Sequence, residues 1–576
     1  MSLLPFDPLP IAPVRRFLPA DLRLGDWSEL EPFFDALEAR AAAVLSTVDL
    51  ERWLLDWGEL SAAIDEEGAK RYIAMSCHTD SQEAEQAYLR FVEQIEPKTK
   101  PRQFQLAVCY CKMTNRRGLN PDRYLVFDRG AELQVCLFRE ANVPLETEEA
   151  RVGQQYQKLC GGLTVQFQDK ELTLVQMGKF LEDPDRSLRE SAWRLTAQRR
   201  ASEQLHFEDQ FDELIRLRQQ MAQNAGFENY RDYAFKLRGR FDYTPDDCAR
   251  FHDAIESEVL PVIRSLQASR RSNLGLAGLR PWDLAVDPAS KPALKPFETV
   301  DQLVSGCQRV FDRLDPELAA QFKTMRDLRL LDLDNRKGKA PGGYQSTLSE
   351  SRLPFIFMNS IGVQRDLETL FHEAGHAFHA LAARDEELFS YRSAPIEFCE
   401  VASMSMELLT ADGLSEFYVP DEAQRARRDH LEGVVEVFPW IATVDAFQHW
   451  VYTNPGHSRQ DRAEAWSRIM RRFAGDVDWT GLEHFQSYWW HRQLHIFLYP
   501  FYYVEYGIAQ MGALQVWDRF RQQPAKALAA YKHALALGGS RTLPELFHAA
   551  GCEFDFSSKT LRPLMRLIQT ELQRLS

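Results

Sequence analysis

The residues best placed to do chemistry are in HEAGH, which runs from His372 to His376. Apolar residues around it recur mostly at spacings of three and four, and this pattern predicts a helix. Residues four apart on a helix lie about 40° apart on one face, so both imidazoles can bind one zinc ion. Glu373 lies about 100° from His372 around the helix. It can therefore flank the metal and take a proton from water.

A catalytic zinc ion needs a third protein ligand and one open position. Three glutamates of the next helical stretch offer a carboxylate, and spacing alone leaves the choice open: Glu397, Glu400 and Glu407. His379 lies near the same helix face, but the histidine pattern of HExxHxxGxxH sites is absent, so we expect a supporting or structural role. The alternative is an ordinary amphipathic helix. A chance HExxH is rare in a chain with 14 histidines, and this favours a metal site.

Charge and composition exclude several classes of protein. The formal net charge is −15, from 69 Lys and Arg against 84 Asp and Glu, whereas nucleic-acid binding needs a basic patch. No apolar run reaches the ~20 residues of a membrane-spanning helix, and no signal-peptide pattern is present. Nine scattered cysteines favour reduced thiols. We expect a cytoplasmic protein that binds neither nucleic acid nor membrane. The sequence leaves its oligomeric state open.

Helical periodicity dominates the chain and predicts a mainly α fold. It includes a predicted helix at 172–181. The few strand-like segments are 124–127, 132–138, 328–333 and 355–358. The stretch 287–296, with three prolines, is predicted to be a loop. We place a boundary near residue 190, which gives an N-terminal helical lobe at 1–190 and a catalytic domain at 191–576 that contains HEAGH.

The sequence around HEAGH resembles the thimet oligopeptidase and oligoendopeptidase F family of zinc peptidases. The motifs that carry the resemblance are LETLFHEAGHAFHAL, EFCEVASMSMELL, GKAPGGYQS, PFIFMNSIG, LRPWDL, NAGFENYRDY and HRQLHIFLYPFYYVEYGIAQMG. Together they cover roughly residues 200 to 565, and the oligoendopeptidase F branch is the most similar. The resemblance implies a mainly helical body with two lobes around a deep substrate channel, and a small antiparallel β-sheet near the active site.

The resemblance also implies a set of site residues. It implies one zinc ion per chain, held by three side chains: His372, His376 and Glu400. Glu373 becomes the catalytic base, and Glu368, one turn before His372, becomes an acceptor that supports a ligand imidazole. Glu397 and Glu407 are then expected to be surface charges. Cobalt or manganese in place of zinc stays open.

A second block, HIFLYPFYYVEY, is rich in aromatic residues. Such a cluster is ordinarily part of a core, but a peptidase also needs donors aimed at the oxyanion of its tetrahedral intermediate. The resemblance implies three such donors: His495, Tyr503 and Tyr506. Tyr499 is a weaker candidate. The loop after His495 carries Pro500 and no glycine, which is similar to the oligoendopeptidase F branch.

The stretch GGYQS suggests how a substrate backbone could bind. Gly342 and Gly343 would let another backbone come close. With Tyr344 they precede the strand-like PFIF, and an exposed strand edge there could pair with an extended peptide. The alternative is a simple turn between strands.

We therefore expect a zinc-dependent endopeptidase that hydrolyses internal bonds of short peptides. The channel implied by the resemblance would exclude folded proteins. One alternative is a zinc carboxypeptidase or dipeptidyl carboxypeptidase, which would need a cation for the substrate's terminal carboxylate. Another is a non-catalytic peptide-binding protein on the same scaffold.

Overall fold

The structure is a computed structural model that describes residues 3–9, 14–289 and 291–575. Helices form most of the described chain, which confirms the predicted mainly α fold. The α-helices in the first part of the chain are α1 Trp27–Ala41, α2 Thr47–Cys77, α3 Gln82–Gln94, α4 Glu96–Lys112, α5 Pro121–Leu137, α6 Val143–Gly161, α7 Arg186–Ala201, α8 Gln204–Asn224, α9 Tyr230–Leu237, α10 Pro245–Ala254, α11 Leu260–Asn273 and α12 Val300–Leu314. Those that follow are α13 Pro316–Asp327, α14 Gln364–Ala382, α15 Ile396–Leu409, α16 Pro420–Thr453, α17 Arg459–Phe473, α18 Glu483–Ser487, α19 Leu494–Leu498, α20 Tyr503–Gln522, α21 Pro524–Ala536, α22 Leu543–Ala549 and α23 Ser558–Arg574. No helix among the described residues is long and apolar enough to cross a membrane.

The five strands of the described residues form two small sheets. They are β1 Thr164–Phe167, β2 Lys170–Thr173, β3 Leu331–Asp334, β4 Tyr344–Leu348 and β5 Leu353–Ser360. β1 and β2 form an antiparallel hairpin, and the other three strands form a sheet in the order β3-β5-β4. β5 pairs antiparallel with β4 but parallel with β3, so this sheet is mixed rather than antiparallel. β5 is buried along nearly its whole length, as a central strand should be.

The contacts within the chain divide it into two compact units. The first unit combines Met1–Cys136, Leu294–Arg427 and Ala509–Phe554, and the second combines Leu137–Ala293, Arg428–Ile508 and Asp555–Ser576. Each unit therefore draws on three separate stretches of sequence. The division into 1–190 and 191–576 does not follow these units and stays a prediction.

Several local expectations differ from the structure. Residues 124–127 and most of 132–138 lie in the helix α5, because short runs of aromatic and branched residues fit a strand and a helix equally well. The helix predicted at 172–181 is replaced by the end of β2 and a 3₁₀ turn at Gln176–Leu181. The strand at 355–358 is confirmed within β5, and that at 328–333 overlaps β3. The described part of 287–296 contains no helix or strand; Ser290 lies outside the described residues.

Hydrogen bonds from backbone N–H groups to one side chain fix the start of the helix that carries HEAGH. This motif lies in α14, which follows β5 after a short turn. The Asp366 carboxylate accepts hydrogen bonds from the backbone N–H groups of Ile361, Gly362 and Val363, at 2.8, 2.8 and 3.0 Å. These bonds satisfy donors that a helix start would otherwise leave unpaired. The first turn of α14 is thereby joined to the end of the central strand.

Candidate metal centre

Close packing of α14 against α15 brings the candidate ligands together. A Cβ atom at Gly375 would lie 2.5 Å from the Cα atom of Ser403 and 2.6 Å from the carbonyl oxygen of Ala402. At these distances any residue with a Cβ atom would clash with α15 unless the backbone shifted, so only glycine fits here. The glycine of HEAGH thus allows α15 to approach the histidine-bearing helix, and Glu400 lies on that part of α15.

The two histidines and Glu400 converge on a common point. Oε2 of Glu400 lies 3.4 Å from Nε2 of His372 and 3.8 Å from Nε2 of His376. The three ligand atoms all lie within 4.8 Å of one another. Ligands at ~2.0–2.2 Å from a tetrahedral zinc ion lie about 3.3–3.6 Å from each other, so the spacing and the chemistry of this donor set fit zinc.

Glu407, rather than Glu368, supports the first histidine. Nδ1 of His372 lies 2.7 Å from Oε1 of Glu407, so the other ring nitrogen faces Glu400. Glu368 instead accepts a hydrogen bond of 2.9 Å from Gln364, one turn earlier on α14. His372 is thus contacted by Glu407 and not by Glu368, and the support of a ligand imidazole by Glu368 stays a prediction. The expectation that Glu407 is a surface charge is wrong because of this contact.

Two other polar residues near the motif, His379 and Glu397, are buried. Nε2 of His379 accepts a hydrogen bond of 3.1 Å from the backbone N–H of Ala394, and the ring is buried. His379 therefore fastens the loop between α14 and α15, as expected for a structural residue. Glu397 was expected at the surface, but its side chain is buried because the first turn of α15 packs inside the unit.

The charges of the centre depend on one another. Burial works against protonation of His372, but the Glu400 and Glu407 carboxylates outweigh it and hold its pKa well above the usual value. Burial, with the neighbouring His372, lowers the pKa of His376 to about 4. Burial also opposes the charged form of Glu400, yet hydrogen bonding to His372 keeps its pKa below the usual value. The set thus combines an ionised Glu400 with a neutral His376, which are forms that bind a cation, whereas His372 must release a proton when a cation binds.

Glu373 lies in a different environment from Glu400. Burial raises the pKa of Glu373 to about 7, against a smaller opposing effect of His372. A hydrogen bond from the backbone of Gln345 also acts on this carboxylate. Glu373 therefore lies beside β4, and its side chain can both accept and release a proton near neutral pH.

A cavity of about 1070 Å³ reaches His376. It lies within the first unit and is lined by parts of α2, β4 and α14, including Trp57, Tyr72, Gln345 and Thr347. β4 pairs only with β5 among the described residues, so its other edge is not used by the sheet. The cavity thus has an unpaired strand along one side and a predicted metal ligand at one end.

The predicted substrate-binding residues precede this part of β4. Gly342 has a φ of +99°, which favours glycine, and a Cβ at Gly343 would lie 3.4 Å from the carbonyl oxygen of Phe357. The Tyr344 hydroxyl lies 2.6 Å from Oγ of Ser76, and its ring stacks on Phe357 at 4.8 Å between centroids. The structure does not place these three residues at the cavity. The next three residues of the strand line it, namely Gln345, Ser346 and Thr347.

In the second unit, His495 is the centre of an aromatic cluster. Its ring centroid lies 4.8 Å from that of Tyr503 and 5.9 Å from that of Tyr506. Gln493 Nε2 lies 2.8 Å from His495 Nδ1, and burial lowers the pKa of His495 to about 4. A neutral ring that accepts at Nδ1 carries its proton on Nε2. The structure therefore groups the three predicted donors and leaves His495 able to donate; Tyr499, at the edge of the cluster, is half exposed.

Known sequences that resemble the chain are oligopeptidases by name. The chain is 24% identical over 328 residues to oligopeptidase PepF of Bacillus subtilis (strain 168), which covers 55% of this chain and 47% of that protein. It is 21% identical over 423 residues to an oligoendopeptidase F homolog of Lactococcus lactis subsp. lactis (strain IL1403), which covers 70% of this chain and 66% of that protein. The matched part thus spans about half to two thirds of the length of these relatives.

Comparison with solved structures matches a larger share of the chain than comparison with known sequences does. The structure of PZ peptidase A with inhibitor 2 is similar at a TM-score of 0.87 and 27% identity, over 97% of this chain and 99% of that chain. Residues 179–566 match the sequence profile of peptidase family M3, and this range contains HEAGH, Glu400 and the aromatic cluster. These matches confirm the resemblance drawn from the motifs. The chain belongs to peptidase family M3.

Proposed function

We propose that the protein is a zinc-dependent endopeptidase that hydrolyses internal bonds of short peptides. The observation that carries the proposal is the convergence of Nε2 of His372 and Nε2 of His376 on Oε2 of Glu400, at 3.4 and 3.8 Å. Glu373 lies between the two histidines in sequence, and the chain belongs to peptidase family M3. Nine cysteines, all of them free thiols, support a place in the cytoplasm.

One zinc ion per chain would be held at this centre by His372, His376 and Glu400. When bound, zinc supplies a Lewis acid that polarises a carbonyl oxygen and lowers the pKa of water. Glu407 accepts a hydrogen bond from Nδ1 of His372 and so orients the imidazole with Nε2 towards the centre. Two histidines and one carboxylate leave the open position that distinguishes catalytic from structural zinc sites.

Glu373 would move the proton. Its carboxylate is next to the ligand His372 in sequence and is hydrogen-bonded by the backbone of Gln345, so it lies at the boundary between the centre and β4. A carboxylate oxygen of Glu373 takes a proton from the attacking water and delivers it to the nitrogen of the leaving amine.

The unpaired edge of β4 offers a way to hold an extended peptide. Backbone hydrogen bonds to a strand edge bind peptides of many sequences, and pockets for alternate side chains add preference. We assign this role to the backbone from Gly342 to Thr347, since the side chain of Tyr344 is already engaged with Ser76 and Phe357. The adjacent cavity would receive substrate side chains.

His495 and one tyrosine, Tyr503 or Tyr506, would donate hydrogen bonds to the oxyanion. This assignment rests on the family motif. The neutral His495 with its proton on Nε2, and the phenols grouped around it, have the donors that the role needs.

The test is cleavage of an internally quenched peptide blocked at both ends. Chelation should abolish cleavage, and zinc should restore it. A blocked peptide has no terminal carboxylate, so cleavage of only the unblocked form would favour the carboxypeptidase alternative. Binding of both forms without cleavage would favour a peptide-binding protein.

A further inference from the structure

A second cluster of potential metal ligands lies in the second unit, on α10 and α16. Cys248 and His252 are four residues apart on α10, and Asp445 and His449 are four apart on α16. Residues at this spacing share one helix face. Two pairs of such residues, on two helices that pack together, therefore present four polar side chains to one place.

The distances are those of a small coordination site. The ligand atoms of Cys248, Asp445 and His449 all lie within 4.8 Å of one another. Nε2 of His449 is 3.3 Å from Oδ2 of Asp445, and Nε2 of His252 is 2.8 Å from the same oxygen. The His449 contact is of the order expected for two ligand atoms around one zinc ion, about 3.3–3.6 Å, whereas the His252 contact has the length of an ordinary hydrogen bond.

Two atoms of the cluster lack partners. Asp445 is fully buried, and its Oδ1 has no hydrogen-bond partner among the described residues; nor has Nε2 of His449, despite its approach to Oδ2. A buried carboxylate oxygen without a partner is strongly unfavourable. A metal-free aspartate–histidine network would explain the His252 contact. Such a network could also include Nε2 of His449, 3.3 Å from Oδ2, but it would leave Oδ1 of Asp445 without a partner.

Aromatic rings pack around the cluster, in which Cys248 and Asp445 are buried and His449 is partly exposed. The rings of Phe235 and Phe501 lie 5.7 and 5.3 Å from that of His449, between centroids, and Phe473 packs against His252. Arg240, which is near Cys248, is engaged by Glu505 at 2.9 Å. Its charge is therefore compensated outside the cluster.

We infer that Cys248, Asp445 and His449 bind a second metal ion, a transition-metal cation of the zinc class, with His252 orienting Asp445. Thiolate and imidazole favour zinc over magnesium or calcium. On binding, the Cys248 thiol releases its proton to solvent and its sulfur bonds to the metal. The site is independent of the proposed peptidase centre and joins α10 to α16 within the second unit.

Cobalt provides a probe that separates the two centres. A thiolate bound to Co²⁺ gives a charge-transfer absorption in the near ultraviolet, and the centre of His372, His376 and Glu400 contains no sulfur ligand. Addition of Co²⁺ to the metal-free full-length protein should produce this band. It should persist in Glu400→Ala and disappear in Cys248→Ala. Cys307→Ala, which removes an equally buried thiol from α12, should retain it.

Metal content gives a second measurement that does not depend on the Cys248 variant folding. Wild-type protein loaded with zinc and freed of excess should hold two metal ions per chain, and Glu400→Ala should hold one. His252→Ala should weaken cobalt binding at the thiolate site by about 10–100-fold, because it removes the group that orients Asp445. Absence of the band in wild-type protein, or its survival in Cys248→Ala, would overturn the inference and leave the peptidase proposal untouched.

Discussion

Among single residues, Glu407 is the one whose position explains the geometry of the centre. Its carboxylate lies 2.7 Å from Nδ1 of His372 and so leaves Nε2 for the proposed metal. Groups that hold a ligand histidine in this way typically change metal affinity by about 10–100-fold when removed. The two candidates for this role, Glu407 and Glu368, can be compared directly.

Glu407→Gln should weaken metal binding by about 10–100-fold, because the amide is a weaker partner for the imidazole N–H. The chelator concentration that halves peptide cleavage measures this affinity. Glu368→Gln makes the same change of charge on α14 and should leave that concentration near the wild-type value. A larger effect at Glu368 would favour the assignment drawn from the family motif.

For the tyrosines proposed as oxyanion donors, the phenol hydroxyl is the group that would donate the hydrogen bond. Tyr503→Phe should lower kcat by about 10²–10³-fold with little change in KM, as for loss of one oxyanion donor. Tyr499→Phe is the matched control in the same cluster and should behave like wild type. Steady-state kinetics on a blocked peptide measure both constants. Equal effects of the two substitutions would argue against Tyr503 as the donor.

The spacing of the histidines made part of the site predictable. The contact between Glu407 and His372 was not predicted. HEAGH on a helix face is enough to predict two imidazoles on one metal ion. Glu407 follows Glu400 by seven residues, about two helical turns, and so shares its face of α15. That spacing was a usable signal. The contact with His372, however, depends on how α15 lies across α14, which periodicity does not describe.

Among the elements, the crossing of α14 and α15 sets the position of Glu400. Gly375→Ala would push a methyl group into the backbone of Ala402 and Ser403. Overpacking of this kind costs about 1–3 kcal/mol, and here it should also displace Glu400 and weaken metal binding. Urea unfolding and chelator sensitivity measure the two effects.

Gly130→Ala is the control for this substitution. Gly130 is inside α5, and nothing lies within 4 Å of the place that its Cβ would occupy. Alanine there should stabilise the protein by up to about 1 kcal/mol, since glycine weakens a helix interior. If both substitutions had equal effects on unfolding, the close contact at Gly375 would not be important.

Long amphipathic elements were predicted more reliably than short ones. α14 follows from its periodic apolar residues, and β5 from a continuous apolar run. Residues 124–127 were assigned to a strand, yet they form part of α5, where only Tyr124 of that segment is fully buried. The parallel pairing of β3 with β5 joins segments about 25 residues apart, and no local pattern indicates its direction.

At the scale of the whole molecule, we propose that the cavity at His376 limits what can reach the centre. About 1070 Å³ is at the upper end of ligand pockets and suits a short extended peptide rather than a folded domain. A cleavable sequence should therefore be cut rapidly as a free blocked peptide and very slowly within a surface loop of a folded protein. Mass spectrometry of both digests measures this. Equal rates would contradict a restriction to short peptides.

The set of segments that makes up each unit was the feature least predictable from the sequence. Each combines three stretches that are far apart along the chain. A boundary placed near residue 190 reflects local sequence, whereas a compact unit depends on which distant segments pack together. The family motifs identify the chain without describing that packing.

The most direct test of the account is metal content measured together with cleavage of the blocked peptide in Glu373→Gln. The substitution is isosteric and leaves His372, His376 and Glu400 in place. The account predicts the same number of metal ions per chain as in wild type, with cleavage slower by about 10²–10⁴-fold, because the group that accepts the proton from water is lost. Wild-type turnover with full metal content would contradict the assignment of Glu373 as the base.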